Sequence, residues 1–153
     1  MFRTPRSLFR VLAIAEAITW TLLIGALIAR AMGVDPIVVT IAGGIHGLIF
    51  LSYGATAILV AFNQRWGVGA AVLAIASAVI PYATIPVEIW LQRSGRLEGR
   101  WRREATDDPR DATWYDRCMR FFLNRAWLLA VVIVGAIVAL YVVLLLVGPP
   151  GGR

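Results

Sequence analysis

Four stretches of this chain are too long and too apolar to fold in water, and they restrict its architecture more than any motif does. They run from about Val11 to Ala29, Ile37 to Phe62, Trp66 to Leu91 and Ala126 to Val147. Each meets the roughly 18–25 apolar residues that a helix needs to cross a bilayer. Composition agrees. In 153 residues, 59% are apolar and 16% charged, against about 45–50% and about 25% in a soluble domain. One compact domain of this size could not bury that much apolar surface. An ordinary soluble enzyme, a disordered chain and a disulfide scaffold are therefore excluded.

The segments differ in character. The first follows Arg3, Arg6 and Arg10 and contains Glu16; it is long for a signal-peptide core, so we read it as a retained helix. The turn Gly33-Val34-Asp35-Pro36 leads into the second. Asn63-Gln64-Arg65 alone separates the second from the third, so those two form a tight antiparallel hairpin. Pro81 and Pro86 break the third, and the fourth carries no charge. The predicted fold is an all-α polytopic membrane bundle of four transmembrane helices, with a basic amphipathic loop between helices 3 and 4. Residues 5–92 make a three-helix core, 93–125 an interfacial loop, 126–147 the fourth span and 148–153 a flexible tail.

All fifteen basic residues are arginine, which is the signature of codon bias in a GC-rich bacterial genome. The charge of +6 flanks apolar segments, so lipid headgroups rather than nucleic acid are the expected counter-surface. Arg93, Arg96, Arg100, Arg102 and Arg103, interleaved with Trp101 and followed by Trp114 and Tyr115, suit a headgroup-level segment. Cys118 has no second thiol to pair with and reads as a spectator in a loop.

Sidedness is contradictory for four full spans. Counting positive charges puts the 93–125 loop inside, whereas the first helix puts its own amino end inside. Both are satisfied only if the proline-broken third segment fails to cross. Thirteen arginines then lie on one side and two, Arg30 and Arg153, on the other. Four spans remain the leading expectation, because 26 residues suffice even when kinked.

Two ionisable residues sit where an ionised group costs about 2.5–3.5 kcal/mol: Glu16 and His46. At about 1.5 Å per residue, Glu16 lies roughly 10 Å in from one side and His46 roughly 16 Å from that same side. The offset of about 6 Å is within reach of two side chains. Gly43 and Gly47 form a GxxxG pattern beside His46, which allows close helix packing. A Glu16–His46 hydrogen bond or ion pair is therefore expected, with Thr19 on the same face and Tyr53 or Ser52 as second partners. The pair reads either as polar glue between helices or as a protonatable transport site. Glu88, near the end of the third segment, reads as an interfacial anchor or a partner for Arg93. Neither a metal set nor a catalytic signature is visible, and no cofactor is expected.

Glu16-Ala17-Ile18-Thr19, Gly44-Ile45-His46-Gly47-Leu48-Ile49-Phe50, Trp66 and Pro81-Tyr82-Ala83-Thr84 resemble the YdzA-like family of uncharacterised small bacterial membrane proteins. Its usual pattern runs E-G-x-S, G-x-x-H-G-x-L-F and P-F-G-T-F. The resemblance covers about residues 5–92, with departures at Ala17, Tyr82 and Ala83. It implies a domain of unknown function in the plasma membrane, with the first three segments as one unit and Glu16 and His46 singled out. It supplies no mechanism.

The functional expectation is a multi-pass, non-enzymatic protein of the bacterial plasma (inner) membrane, an accessory or assembly subunit or a homo-oligomer. Its partners would be lipids and other membrane subunits or itself, with no nucleic acid. The alternative is a small proton-linked transporter or channel using Glu16 and His46.

Overall fold

The computed structural model describes residues 4–147; the predicted 148–153 tail lies outside them. Every element among the described residues is helical. The chain divides into two compact units, one ending at Gly99 and one starting at Arg100.

In the first unit, α1 spans Pro5–Ala31. Its start is fixed by a reciprocal cap: Thr4 Oγ1 accepts from Ser7 N at 3.2 Å and Ser7 Oγ accepts from Thr4 N at 3.4 Å. Pro5 stands at the first helical position, where its missing N–H costs nothing. The helix ends at Gly33, whose φ of 91° suits a residue without Cβ. Asp35 Oδ1 then accepts from Ile37 N at 2.9 Å, and α2 runs Ile37–Asn63. The two helices are antiparallel: Phe9 meets Tyr53 at 5.4 Å between ring centroids, Thr19 meets His46, and Gly43 faces Leu23.

The third apolar segment departs from the single span expected of it. It forms α3 (Val68–Ala76), one 3-10 turn (Ser77–Val79) and α4 (Thr84–Arg93). At 1.5 Å per residue α3 is about 14 Å long and α4 about 15 Å, each about half a hydrocarbon thickness. Contacts with α1 give their directions. Trp66, before α3, packs edge-on against Phe9, whereas Ala78 O at the far end accepts from Trp20 Nε1 at 3.2 Å. The chain then turns back. Thr84 Oγ1 donates to Ala13 O at 3.0 Å, and Trp66 Nε1 donates to Arg96 O at 2.7 Å. Entry and exit of the segment thus lie at the same end of the unit, and the segment is a helical hairpin. Leu97, buried beyond α4, carries the unit past the expected boundary at residue 92, to Gly99.

The prolines divide the work differently than expected. Pro81 lies in the turn, next to Tyr82 at φ 65°. Pro86 breaks nothing: it is the third residue of α4, where the backbone N–H has no intrahelical partner in any helix.

In the second unit, the arginine-rich segment folds around two buried carboxylates. Asp111, in the 3-10 turn Pro109–Ala112, accepts from Thr106 N and Thr106 Oγ1 at 2.7 Å each and pairs with Arg102 at 3.3 Å. Asp116 pairs with Arg102 at 2.8 Å and accepts from Thr113 Oγ1 at 3.1 Å. Two short helical pieces are organised this way in a stretch too polar to have an apolar core. α5 (Trp114–Asn124) and α6 (Ala126–Val147) follow, separated by Arg125 alone. Cys118, read as a loop residue, is exposed on α5.

Helices α1, α2 and α6 are long and apolar enough to cross a membrane. The protein is an all-α membrane protein.

Candidate functional site

The polar residues of the first unit gather where α1, α2 and the tip of the α3–α4 hairpin meet. Antiparallel packing brings Glu16 of α1 and His46 of α2 to the same level. Glu16 Oε1 lies 3.9 Å from His46 Nδ1, close enough for electrostatic attraction and too long for a hydrogen bond. The hydrogen bond to the imidazole belongs to Thr19, whose Oγ1 is 3.1 Å from Nδ1 and 3.0 Å from Glu16 O. A hydroxyl has one hydrogen. When Thr19 gives it to the carbonyl, Nδ1 carries a proton and donates; when Nδ1 is bare, Thr19 donates to the ring. Trp20 covers the imidazole at 4.5 Å between centroids, and Phe50 lies at 6.2 Å.

Glu16 is 0% exposed, and neither carboxylate oxygen has a hydrogen-bond partner. A buried polar atom without a partner is costly, so packing alone does not account for this carboxyl. Glu88 is also buried and its Oε1 has no hydrogen-bond partner. Its side chain is buried, whereas that of Arg93 is exposed. Because α4 turns back, Thr84, Glu88 and Leu91 form the buried stripe at helical spacing, and Thr84 binds α1 directly.

The expected second partners are placed elsewhere. Tyr53 is fully buried, but its hydroxyl meets Ala74 O at 3.1 Å and Ser77 Oγ at 3.0 Å. Ser52 donates to Leu48 O of its own helix at 2.8 Å. Six residues on from His46 is about 240° around the helix, so Ser52 faces away. The glycine pair also differs from a tight seam at the position the contacts describe: a Cβ on Gly43 would stand 3.9 Å from Leu23 Cδ1. That is ordinary van der Waals contact, because the Leu23 side chain fills the space.

The hydrogen bonds of Trp20 and Ser77, the role of Thr84 and the buried placement of Glu88 escaped sequence reasoning, although helical spacing alone puts Trp20 on the face of Glu16. Trp20 and Ser77, with Tyr53, serve the hairpin tip. Ending α3 inside an apolar bundle frees carbonyls that water cannot reach. Ala74 O accepts from Ser77 Oγ and Tyr53 Oη, and Ala78 O accepts from Trp20 Nε1. The available signal was polar and aromatic residues flanking a proline break.

Of the arginines expected at headgroups, Arg102 is turned inward onto Asp111 and Asp116, and Arg96 stacks over Trp90 at 4.7 Å. Arg93, Arg100 and Arg103 are exposed. Among the described residues no three His, Cys, Asp or Glu side chains converge as a metal set. The arrangement sets a buried carboxyl 3.9 Å from an imidazole whose hydrogen bond is made by Thr19.

No solved structure matches the chain. Over 103 residues, 66% of its length, it is 38% identical to a Streptomyces coelicolor protein whose name describes it as a membrane protein. The aligned part is only 12% of that protein, so the chain spans a small fraction of this relative. Residues 6–93 match a family described as a domain of unknown function, nearly the same residues whose motifs carry the YdzA-like resemblance. With more than half of its length in that match, the chain belongs to the DUF3817 family of membrane proteins.

Proposed function

We propose that the protein is a non-enzymatic module of the bacterial plasma membrane that works by assembling with a larger membrane protein or with further copies of itself. The observation that carries this reading is the arrangement in the Streptomyces relative, where the similar region is 12% of a much longer membrane chain. A region that makes up a small part of a large membrane polypeptide in the relative is suited to working as an attached part. The site supports the same reading. Glu16, Thr19 and His46 are buried against one another, and the remaining polar side chains at the hairpin tip hold backbone carbonyls. Such contacts specify which helix faces meet.

The test is purification from native membrane in a mild detergent. A stoichiometric larger membrane partner, or a defined oligomer, is the expected result; a homogeneous monomer overturns the reading.

The two unpartnered oxygens of Glu16 favour a second reading, proton-linked transport. It requires that Glu16→Gln and His46→Ala, each still folded, lose a pH-driven flux in liposomes that the parent chain carries. Absence of such a flux from the parent chain eliminates it.

A further inference from the structure

α5 is built with its charges paired on the inside and its aromatic rings on the outside. Asp116 and Leu123 are buried, Asp116 is held by Arg102 and Thr113, and Arg120 reaches back to the Asp111 carbonyl. At 100° per residue these side chains occupy one face. Trp114, Cys118, Phe121 and Arg125 occupy the opposite one, with Arg117 beside them. Trp114 is 79% exposed, Cys118, Arg117 and Arg125 are exposed, and Arg125 sits over the Phe121 ring at 4.1 Å. Asp116, the one acid of α5, is buried, so the outward stripe is aromatic and cationic.

We propose that this stripe rests on the anionic headgroup layer of the membrane, with Trp114 and Phe121 at the acyl boundary and Arg117 and Arg125 on lipid phosphates. Continuity with α6 supplies the position. α6 has 22 residues and is apolar throughout, and only Arg125 separates it from α5, so α5 is held where α6 enters the bilayer. With 11 residues, about 16 Å, α5 is too short to cross. An exposed aromatic face at that level belongs at the interface, and the charge of the stripe selects anionic lipid over zwitterionic lipid.

Cys118, the single cysteine of the chain, lies on this stripe and is a native reporter. The full chain carrying a nitroxide at Cys118 is reconstituted in phosphatidylcholine vesicles with and without phosphatidylglycerol. Collision rates with oxygen and with a water-soluble nickel chelate then report depth. The expected result is a label shielded from nickel when phosphatidylglycerol is present. Exposure should increase roughly five-fold for each of Arg117→Gln and Arg125→Gln. A label equally accessible with and without the anionic lipid overturns the proposal, and the lipid comparison needs no variant to fold. Spin–spin broadening between labels would instead assign the stripe to contact between copies, and also overturns it.

Discussion

The returning hairpin predicts on which side of the membrane its two ends emerge. A single helix from Trp66 to Leu91 would be about 39 Å long and would cross a hydrocarbon core of about 30 Å. The observed limbs, about 20 Å for Val68–Val79 and about 15 Å for α4, each stop well short of that. Straightening them would break the Trp20–Ala78, Thr84–Ala13 and Trp66–Arg96 hydrogen bonds together. The perturbation is a set of single cysteines in a Cys118→Ser background. Gly67→Cys lies before α3, where a side chain meets nothing within 4 Å. Ser94→Cys lies just after α4, and Arg30→Cys at the opposite end of α1, both exposed. The assay is labelling by a membrane-impermeant maleimide in vesicles of known orientation. Gly67→Cys and Ser94→Cys should react from one side and Arg30→Cys from the other. If Ser94→Cys reacts together with Arg30→Cys, the segment crosses and the reasoning fails. The outcome bears on charge as well. With the hairpin returning, and with no described helix between Arg93 and Arg125 long enough to cross, Arg6, Arg10, Arg65 and the nine arginines from Arg93 to Arg125 would share the side on which α1 begins. The first helix and the overall positive-charge count then point the same way.

Other perturbations follow from particular contacts. Trp20→Phe and Thr84→Val each remove one hydrogen bond at the hairpin. Each should lower stability in detergent by about 0.6–1.5 kcal/mol, read as a drop in thermal unfolding temperature; no change in either would mean that the tip is held by packing alone. Asp116→Asn breaks a 2.8 Å pair around a buried carboxylate. Because Arg102 keeps 23% of its side chain exposed, the cost should be on the order of 3 kcal/mol, the lower end for a broken buried pair. Hydrogen exchange should accelerate across residues 102–116 while α1 and α2 stay protected; uniform protection refutes the carboxylate-centred fold of the second unit. Gly43→Ala should be tolerated within about 0.5 kcal/mol, since its Cβ meets Leu23 at 3.9 Å; marked destabilisation would show a tighter seam than the contacts give.

Much of the site was legible before the fold. Two antiparallel helices of regular rise make depth additive, which is why counting residues from opposite ends brought Glu16 and His46 to nearly one level. Helical phase likewise put Thr19 on the face of Glu16. The phase of Ser52 was equally readable, and it points away. Tyr53 was misassigned for a different reason: its partners lie on the third segment, whose direction no local pattern supplied. The burial of Glu88 was hidden for the same reason, because it depends on what α4 packs against.

What the amino-acid sequence determines by itself is therefore the solvent, the helical class and the pair of ionisable residues that resist that solvent. Hydrophobic runs and a 1.5 Å rise are local properties, and they do not depend on what a helix packs against. The tertiary structure decided that the third segment turns back at Pro81, that Trp20, Tyr53 and Ser77 close its open backbone while Thr84 ties it to α1, and that the arginine-rich insert folds around Asp111 and Asp116. Each of those outcomes rests on satisfying a buried polar group with a partner dozens of residues away or across a loop. Which partner arrives is settled by packing, and spacing along the chain does not record it.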